Sequence, residues 1–360
     1  MSKRDDIMKI WQESFSDSRS YVSMYFDRVY RDDEALILAD ETGVTASSLL
    51  LQHYAMTFHG ATLPVGYIAG AATRRSRRGH GYMSRLMKEA LAASAARGDV
   101  LVSLIPARSA LYFFYEKFGF STVFYNREQR FTALHSFPIE RSYTARQADS
   151  VAPDDLWSAF DRLQHQRPCY IIHSRRDLDN IIADLAEDGG SFVVVESDDE
   201  DHGPRISAMA WAVKRDDLLL VTDVMGEDAD SRTAALRELR RLHPEVPFLV
   251  LGEPTDTIGG RLMPRGMARV VNAQALLEAV AAANPRWKSA IRVSDRLLPE
   301  GNSHTYIIKD GHVSVDDAYT GHLDLDVRID VLADIAFSSP RIGEVMRFPA
   351  ERPMISLMLD

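Results

Sequence analysis

Residues 66–83 read Gly-Tyr-Ile-Ala-Gly-Ala-Ala-Thr-Arg-Arg-Ser-Arg-Arg-Gly-His-Gly-Tyr-Met and run straight into a helical pattern. A strand thus passes into a loop holding Gly79 and Gly81, and a helix begins just after. Such a turn directs several backbone N–H groups at one anion, reinforced by the positive end of the helix dipole. Glycine matters there because a side chain would hold the anion away from the backbone. Arg74, Arg75, Arg77, Arg78, Arg85 and Lys88 crowd the same stretch with no acid among them, in a chain whose formal charge is −10. That concentration points to a polyphosphate ligand; a solvated basic loop or a nucleic-acid patch is the alternative. Two other phosphate motifs are excluded. The dinucleotide fingerprint needs glycine three positions after Gly81, where Ser84 stands, and no G-x-x-x-x-G-K-[ST] string occurs.

The elements that must position this loop follow from periodicity. Residues 63–73 read as a strand. Residues 84–97 read as a helix with Leu86, Met87, Ala90 and Leu91 as its stripe and Gly98 as its stop. A buried strand over 100–105 and a helix over 110–118, ended by Gly119, come next. Upstream lie helices at 6–15 and 21–30 and strands at 35–39 and 47–54. The pattern restarts after Pro138, with helices from Pro153 and over 177–187, strands at 191–196, 205–214 and 218–224, a helix at 230–242 and a strand at 248–251. The acidic run 198–201 reads as a hairpin loop. A third stretch opens near Pro264, with a helix at 273–283 capped by Asn272, a strand at 290–293, a hairpin about Asp310-Gly311, and a helix at 330–336. The class is α/β.

The strand, loop, helix, strand, helix order of residues 63–118 resembles the GNAT acetyltransferase superfamily. Its pyrophosphate loop, [QR]-x-x-G-x-[GA], is matched by Arg78-x-x-Gly81-x-Met83, with Met83 departing from the pattern. The ending Tyr115-Glu-Lys-Phe-Gly-Phe120 is similar to the superfamily's Y-x-x-x-GF. The whole chain resembles the family of the enhanced intracellular survival protein, including the strand Met267-Ala-Arg-Val-Val271. That resemblance implies a catalytic GNAT domain at 1–138, a second, degenerate GNAT-like domain at 139–263, and a sterol-carrier-like domain at 264–360. It also implies that the chain's last carboxylate enters the active site and that the protein forms a hexamer. The apolar ending 354–359, with no charge before Asp360, is unusual for a terminus and fits that role.

Acetyl transfer to an amine needs the ammonium deprotonated, the carbonyl polarised and the leaving thiolate protonated. By the resemblance Tyr115 is the acid, although its aromatic neighbours Tyr112, Phe113 and Phe114 equally suit a core residue. The base is a carboxylate of Asp360, either the α-carboxylate or the side chain, directly or through water. Acetyl-CoA would lie along Ala71, Ala72 and Thr73. Its pyrophosphate would sit on Arg78, Gly79, His80, Gly81, Tyr82, Met83 and Ser84, with further contacts from Ala110 and Leu111. His80 is read as a loop side chain near the phosphates rather than a base. Arg74, Arg75 and Arg77 are read as solvated, with the 3′-phosphate as a second possibility. Trp11, Phe15, Tyr21, Tyr25 and Phe26 either shape an acceptor pocket or fill the core.

Composition bounds the rest. With 46% apolar and 26% charged residues the chain reads as a globular protein. It shows no secretory signal and no membrane span, and its single cysteine, Cys169, suits a reducing compartment and a buried structural role. A cytoplasmic location follows as an expectation. Acidity argues against nucleic acid and suits a cationic substrate, though solubility explains it equally well. The family resemblance implies a small cationic amine such as an aminoglycoside, a polyamine or a peptide amine. No histidine spacing suggests a metal. A lipid- or sterol-binding protein on a GNAT-like scaffold and a non-catalytic acyl-CoA sensor are the competing readings.

Overall fold

The computed structural model describes residues 2–199, 203–256, 259–337 and 352–359. They form two compact units, one from Met1–Phe124 with Pro264–Pro353, the other from Tyr125–Met263 with Met354–Leu359. The architecture is mixed α/β.

The first unit begins with α1 (Lys3–Ser14) and α2 (Arg19–Arg28), each opened by a serine cap. Ser2 and Asp5 form a reciprocal capping box that starts α1 earlier than apolar periodicity alone predicts. Strands β1 (Ala35–Ala39), β2 (Thr45–Phe58) and β3 (Ala61–Thr73) follow, then α3 (Tyr82–Arg97), β4 (Leu101–Leu104) and α4 (Ser109–Glu116). The sheet order is β1-β2-β3-β4, antiparallel except for the parallel β3–β4 pair. Its core joins Leu49, Leu51 and Ile68 to Leu86, Met87, Ala90 and Leu91 of α3, so the stripe read from the sequence is the buried face.

The second unit comprises most of β5 (Ser121–Phe131), then β6 (Thr144–Gln147), α5 (Pro153–His165), β7 (Ile171–Ile172), α6 (Arg175–Glu187), β8 (Ser191–Asp199), β9 (Gly203–Arg215), β10 (Leu218–Gly226), α7 (Ala229–Leu242) and β11 (Phe248–Gly252). Its strands run β5-β11-β10-β9-β8-β6, with β10–β11 the parallel pair. Two helices, a long antiparallel hairpin, a helix and a parallel strand thus recur in the same order as in the first unit. Strand β5 escapes the sequence reading because two of its buried positions are the polar Asn126 and Gln129, which erase the apolar alternation. Cys169 is buried. The acidic run 198–201 falls partly in β8, and its tip lies outside the described residues.

The chain then returns to the first unit. β12 (Arg261–Val270) places Met267–Val270 antiparallel to β4. α8 (Ala273–Ala283), β13 (Ser289–Ser294), α9 (Pro299–Asn302), β14 (Thr305–Lys309), β15 (His312–Val315), β16 (Leu325–Arg328) and α10 (Ile329–Phe337) complete it, with a four-stranded sheet ordered β15-β14-β13-β16. The Asp310-Gly311 turn sits where the sequence places it, both residues at positive φ.

One irregularity bears directly on the site. The β2–β3 register slips between Ser48 and Leu50, whose partners are Ala72 and Ala69, leaving an extra residue on β3. The resulting bulge includes Gly70 at φ +58, where an added Cβ would lie 2.2 Å from Trp11 Cζ3. Gly70→Ala therefore combines a left-handed backbone penalty with overpacking, about 3 kcal/mol together. A fall in Tm on the order of 10 °C by calorimetry is the expected result. An unchanged Tm would mean that Trp11 yields freely.

Candidate active site

Strands β3 and β4 part inside the first unit. Their parallel ladder runs over Val65–Tyr67 and Leu101–Ser103, while β3 continues past the bulge to Thr73 and β4 ends at Leu104. The part of β3 carrying Ala71, Ala72 and Thr73 thus extends beyond the ladder with β4. This splay leads to the loop 78–81 and the first turn of α3.

Gly81 is the N-cap of α3 and offers no side chain, so α3 has no side-chain cap. The first internal helical bond is from the N–H of Arg85 to the carbonyl of Gly81, at 3.1 Å. The N–H groups of Tyr82, Met83 and Ser84 therefore point out of the helix end, where an anion is most favourable. Gly79 and Gly81 have φ of +82 and +79, and a Cβ on either would meet nothing within 4 Å. Open helix-end N–H groups and an extended strand edge are the features that a diphosphate and an amide-bearing arm would require. Ala110 lies exposed in the first turn of α4. Gly81→Val should raise the Kd for acetyl-CoA by tenfold or more, about 1.4 kcal/mol, because a branched side chain would occupy the open space over the helix end. Isothermal calorimetry showing an unchanged Kd would place the ligand elsewhere.

The basic cluster is less available than the sequence implies. Arg74 donates to Glu13 at 2.9 Å and to the Thr45 carbonyl at 2.7 Å. Arg75 donates through Nε to the Glu13 carbonyl. Arg77 pairs with Asp40 at 2.7 Å, and Thr42 and Arg77 together hold that carboxyl well below the usual range. These three arginines are not simply solvated: α1 and the β1–β2 turn supply them with partners. Arg78 reaches the Thr73 carbonyl and Ser14 while remaining exposed. His80 Nδ1 lies 2.9 Å from the Arg78 carbonyl and so stabilises the loop. The Tyr82 side chain is buried with its hydroxyl on Glu41, so only its backbone faces the cradle.

Tyr115 sits on α4 with its ring in the core, packed at 5.8 Å from Phe120 and 5.3 Å from Phe114. Burial pushes its phenol up to about 12. Its hydroxyl keeps its proton throughout the neutral range and can donate one. The packing of the ring is that of a core residue. The C-terminal end of α4 is pinned by Arg269, a fully buried side chain whose Nε–H donates to the Phe118 carbonyl at 2.8 Å. Its Nη2 also donates to Asp295, 2.7 Å from each carboxylate oxygen. Sequence reasoning missed this pair. Its signal was a lone arginine inside the apolar run Met267–Val271. Trp11, Tyr25 and Phe26 are core residues, whereas Phe15 and Tyr21 are half-buried. Asp360 lies outside the described residues.

The corresponding helix end of the second unit differs in chemistry. Asp228 caps α7, accepting from the Ser231 N–H at 2.8 Å, and Arg141 pairs with both Asp228 and Asp230. The α7 terminus is already supplied with carboxylates. Among the described residues no cluster of three His, Cys, Asp or Glu could hold a metal. No described helix is long and apolar enough to cross a membrane.

Residues 1–123 match the family model described as an acetyltransferase (GNAT) domain. No curated protein matches the chain significantly. Three solved structures share its fold along nearly its whole length. A probable N-acyltransferase from Enterococcus faecalis V583 is 16% identical with a TM-score of 0.78, covering 99% of this chain and 96% of that one. A GCN5-related N-acetyltransferase from Anabaena variabilis is 14% identical, with a TM-score of 0.77 and coverages of 98% and 97%. Eis1 from Mycobacterium abscessus is 14% identical, with a TM-score of 0.74 and coverages of 98% and 96%. The chain has the fold of these proteins, and its N-terminal third carries the acetyltransferase domain signature.

Proposed function

We propose that this protein is an N-acetyltransferase that uses acetyl-CoA to acetylate a primary amine of a small cationic acceptor. The observation that carries the reading is the β3–β4 splay opening onto an uncapped, glycine-lined helix end, within the segment that matches the acetyltransferase model. Acetyl-CoA would supply an activated acetyl thioester. The N–H groups at the start of α3 hold its diphosphate, and the β3 edge from Ala71 to Thr73 aligns its arm. Tyr115 holds the proton destined for the leaving sulfur. The terminal carboxylate of Asp360 takes the proton from the acceptor ammonium. A free α-carboxyl titrates near ~3.5, so it serves as base only if desolvated or relayed through water.

The same reading divides the chain at 1–138, 139–263 and 264–360, the middle part being a GNAT-like domain without a cofactor. The acidic cap of α7 supports that division of labour. A homo-hexamer in the cytoplasm completes the proposal, by the family resemblance. Mixing the protein with acetyl-CoA and a panel of aminoglycosides, polyamines and peptide amines, and following free thiol, tests the activity. Absence of amine-dependent thiol release, with acetyl-CoA still bound, would leave a sensor rather than an enzyme.

A further inference from the structure

The second unit repeats the splay of the first and closes it with its own side chains. β10 and β11 are paired only over Leu219–Val221 and Phe248–Val250, while β10 runs on to Gly226, its pairing with β9 slipping register between Val221 and Asp223. The buried Arg167 bridges the two parting strands. Its Nη1 and Nη2 donate to Asp223 at 2.9 and 2.8 Å, and Nη2 also donates to the Val224 carbonyl at 2.8 Å. Its Nε donates to Glu253, the residue just after β11, at 3.0 Å. A guanidinium therefore occupies the gap where the first unit offers an open strand edge.

This plug holds something. Ser356 donates its hydroxyl proton to Asp223 Oδ2 at 2.5 Å and accepts from the Tyr170 hydroxyl at 2.9 Å. Tyr170 in turn lies under the Arg167 guanidinium, 4.6 Å from ring centroid to Cζ. His173 Nε2 donates to the Ser356 carbonyl at 3.0 Å, and Gln164 fixes His173 by two hydrogen bonds to its backbone. Just before it, Met354 exchanges backbone bonds with Cys169 and Ile171. Ser356, Arg167, Asp223, Tyr170 and His173 are all buried. Apolar packing alone would seat Met354 and Leu357 but would tolerate slippage along the groove. A buried hydroxyl and carbonyl each matched to a named partner do not, since a shift by one residue leaves Asp223 and His173 without them.

We infer that this cluster is a receptor for the chain's own C-terminal segment, in which Arg167, Asp223, Tyr170 and His173 are positioning residues that set the register of the end at Asp360. The inference rests on the proposal that the terminal carboxylate is the catalytic base. Three residues separate Ser356 from Asp360, a reach of at most about 14 Å between their Cα atoms. On that proposal a slip at Ser356 displaces the carboxylate, and loss of register costs rate because a displacement near 1 Å is already expensive.

The test uses the full-length protein with a native C-terminus. Ser356→Ala removes the hydroxyl without adding bulk, and Asp223→Asn probes the same contact from the other side. Carboxypeptidase release of the last residues is followed by mass spectrometry, alongside kcat and the acetyl-CoA Kd. The expected result is release at least tenfold faster, kcat about tenfold lower and a Kd changed less than twofold. Unchanged release in Ser356→Ala would overturn the receptor while leaving the proposed activity intact. A Kd rising in step with falling kcat would also overturn it, since that is general destabilisation. Faster release with kcat unchanged, both here and after deletion of Leu359 and Asp360, would uphold the receptor and remove the carboxylate from catalysis.

Discussion

Deleting Leu359 and Asp360, or appending a short tag after Asp360, should lower kcat by at least ~100-fold, the usual size of a general-base effect. The acetyl-CoA Kd should hardly change, because the loop at Gly79 and Gly81 is untouched. The split between kcat and binding makes the experiment specific. A destabilised fold would weaken both, whereas a missing base leaves the donor bound and unreactive. Asp360→Asn removes the side-chain charge and keeps the α-carboxylate, so most activity should survive if the main-chain group is the base. Stopped-flow or steady-state thiol release measures all three variants. A tagged protein as fast as the untagged one would make the terminus a structural peg and send the search for a base into the first unit.

Tyr115→Phe should reduce kcat by about 100-fold with the fold intact, since it removes one hydroxyl from a ring that otherwise packs unchanged against Phe114 and Phe120. The pH dependence sharpens the assignment. An acid acts only while protonated, and burial has moved the Tyr115 phenol up to about 12. Its deprotonation therefore lies far above neutrality, so Tyr115 should impose no alkaline fall in kcat/KM below pH ~10. The acidic limb, set by the base, should persist in Tyr115→Phe at its wild-type position. An alkaline limb near pH ~8 that disappears in Tyr115→Phe would contradict the burial-raised phenol. Activity unchanged in Tyr115→Phe would return the residue to the core alone.

The two predictions draw on different kinds of information. That a tyrosine stands before Gly119-Phe120 at the end of a short helix is legible in the chain. That its hydroxyl is desolvated, and that Arg269 and Asp295 secure the end of its helix, is not. Similarly, the glycines flanking His80 announce a turn into a helix, and the structure places them at positive φ as such a turn requires. The bulge at Gly70 was missed because the close packing there involves Trp11, a residue on a different element. β5 was missed because buried Asn126 and Gln129 break the alternation on which strand reading depends.

The sequence by itself determined the local pieces: the apolar stripe of α3, the Asn272 cap of α8, the Asp310-Gly311 hairpin and the glycine-lined entry to α3. Each depends on backbone conformation and on neighbours within a few positions, so each is readable from a short window. Only the tertiary structure decided how much charge the loop offers. Arg74 meets Glu13 across 61 positions, and Arg77 meets Asp40 across 37. It also decided that one splay stays open while Arg167 fills the other with contacts to Asp223 and Glu253, 56 and 86 positions away. Ion pairs and buried hydrogen bonds take whichever partner the sheet brings near, and no spacing along the chain encodes that proximity.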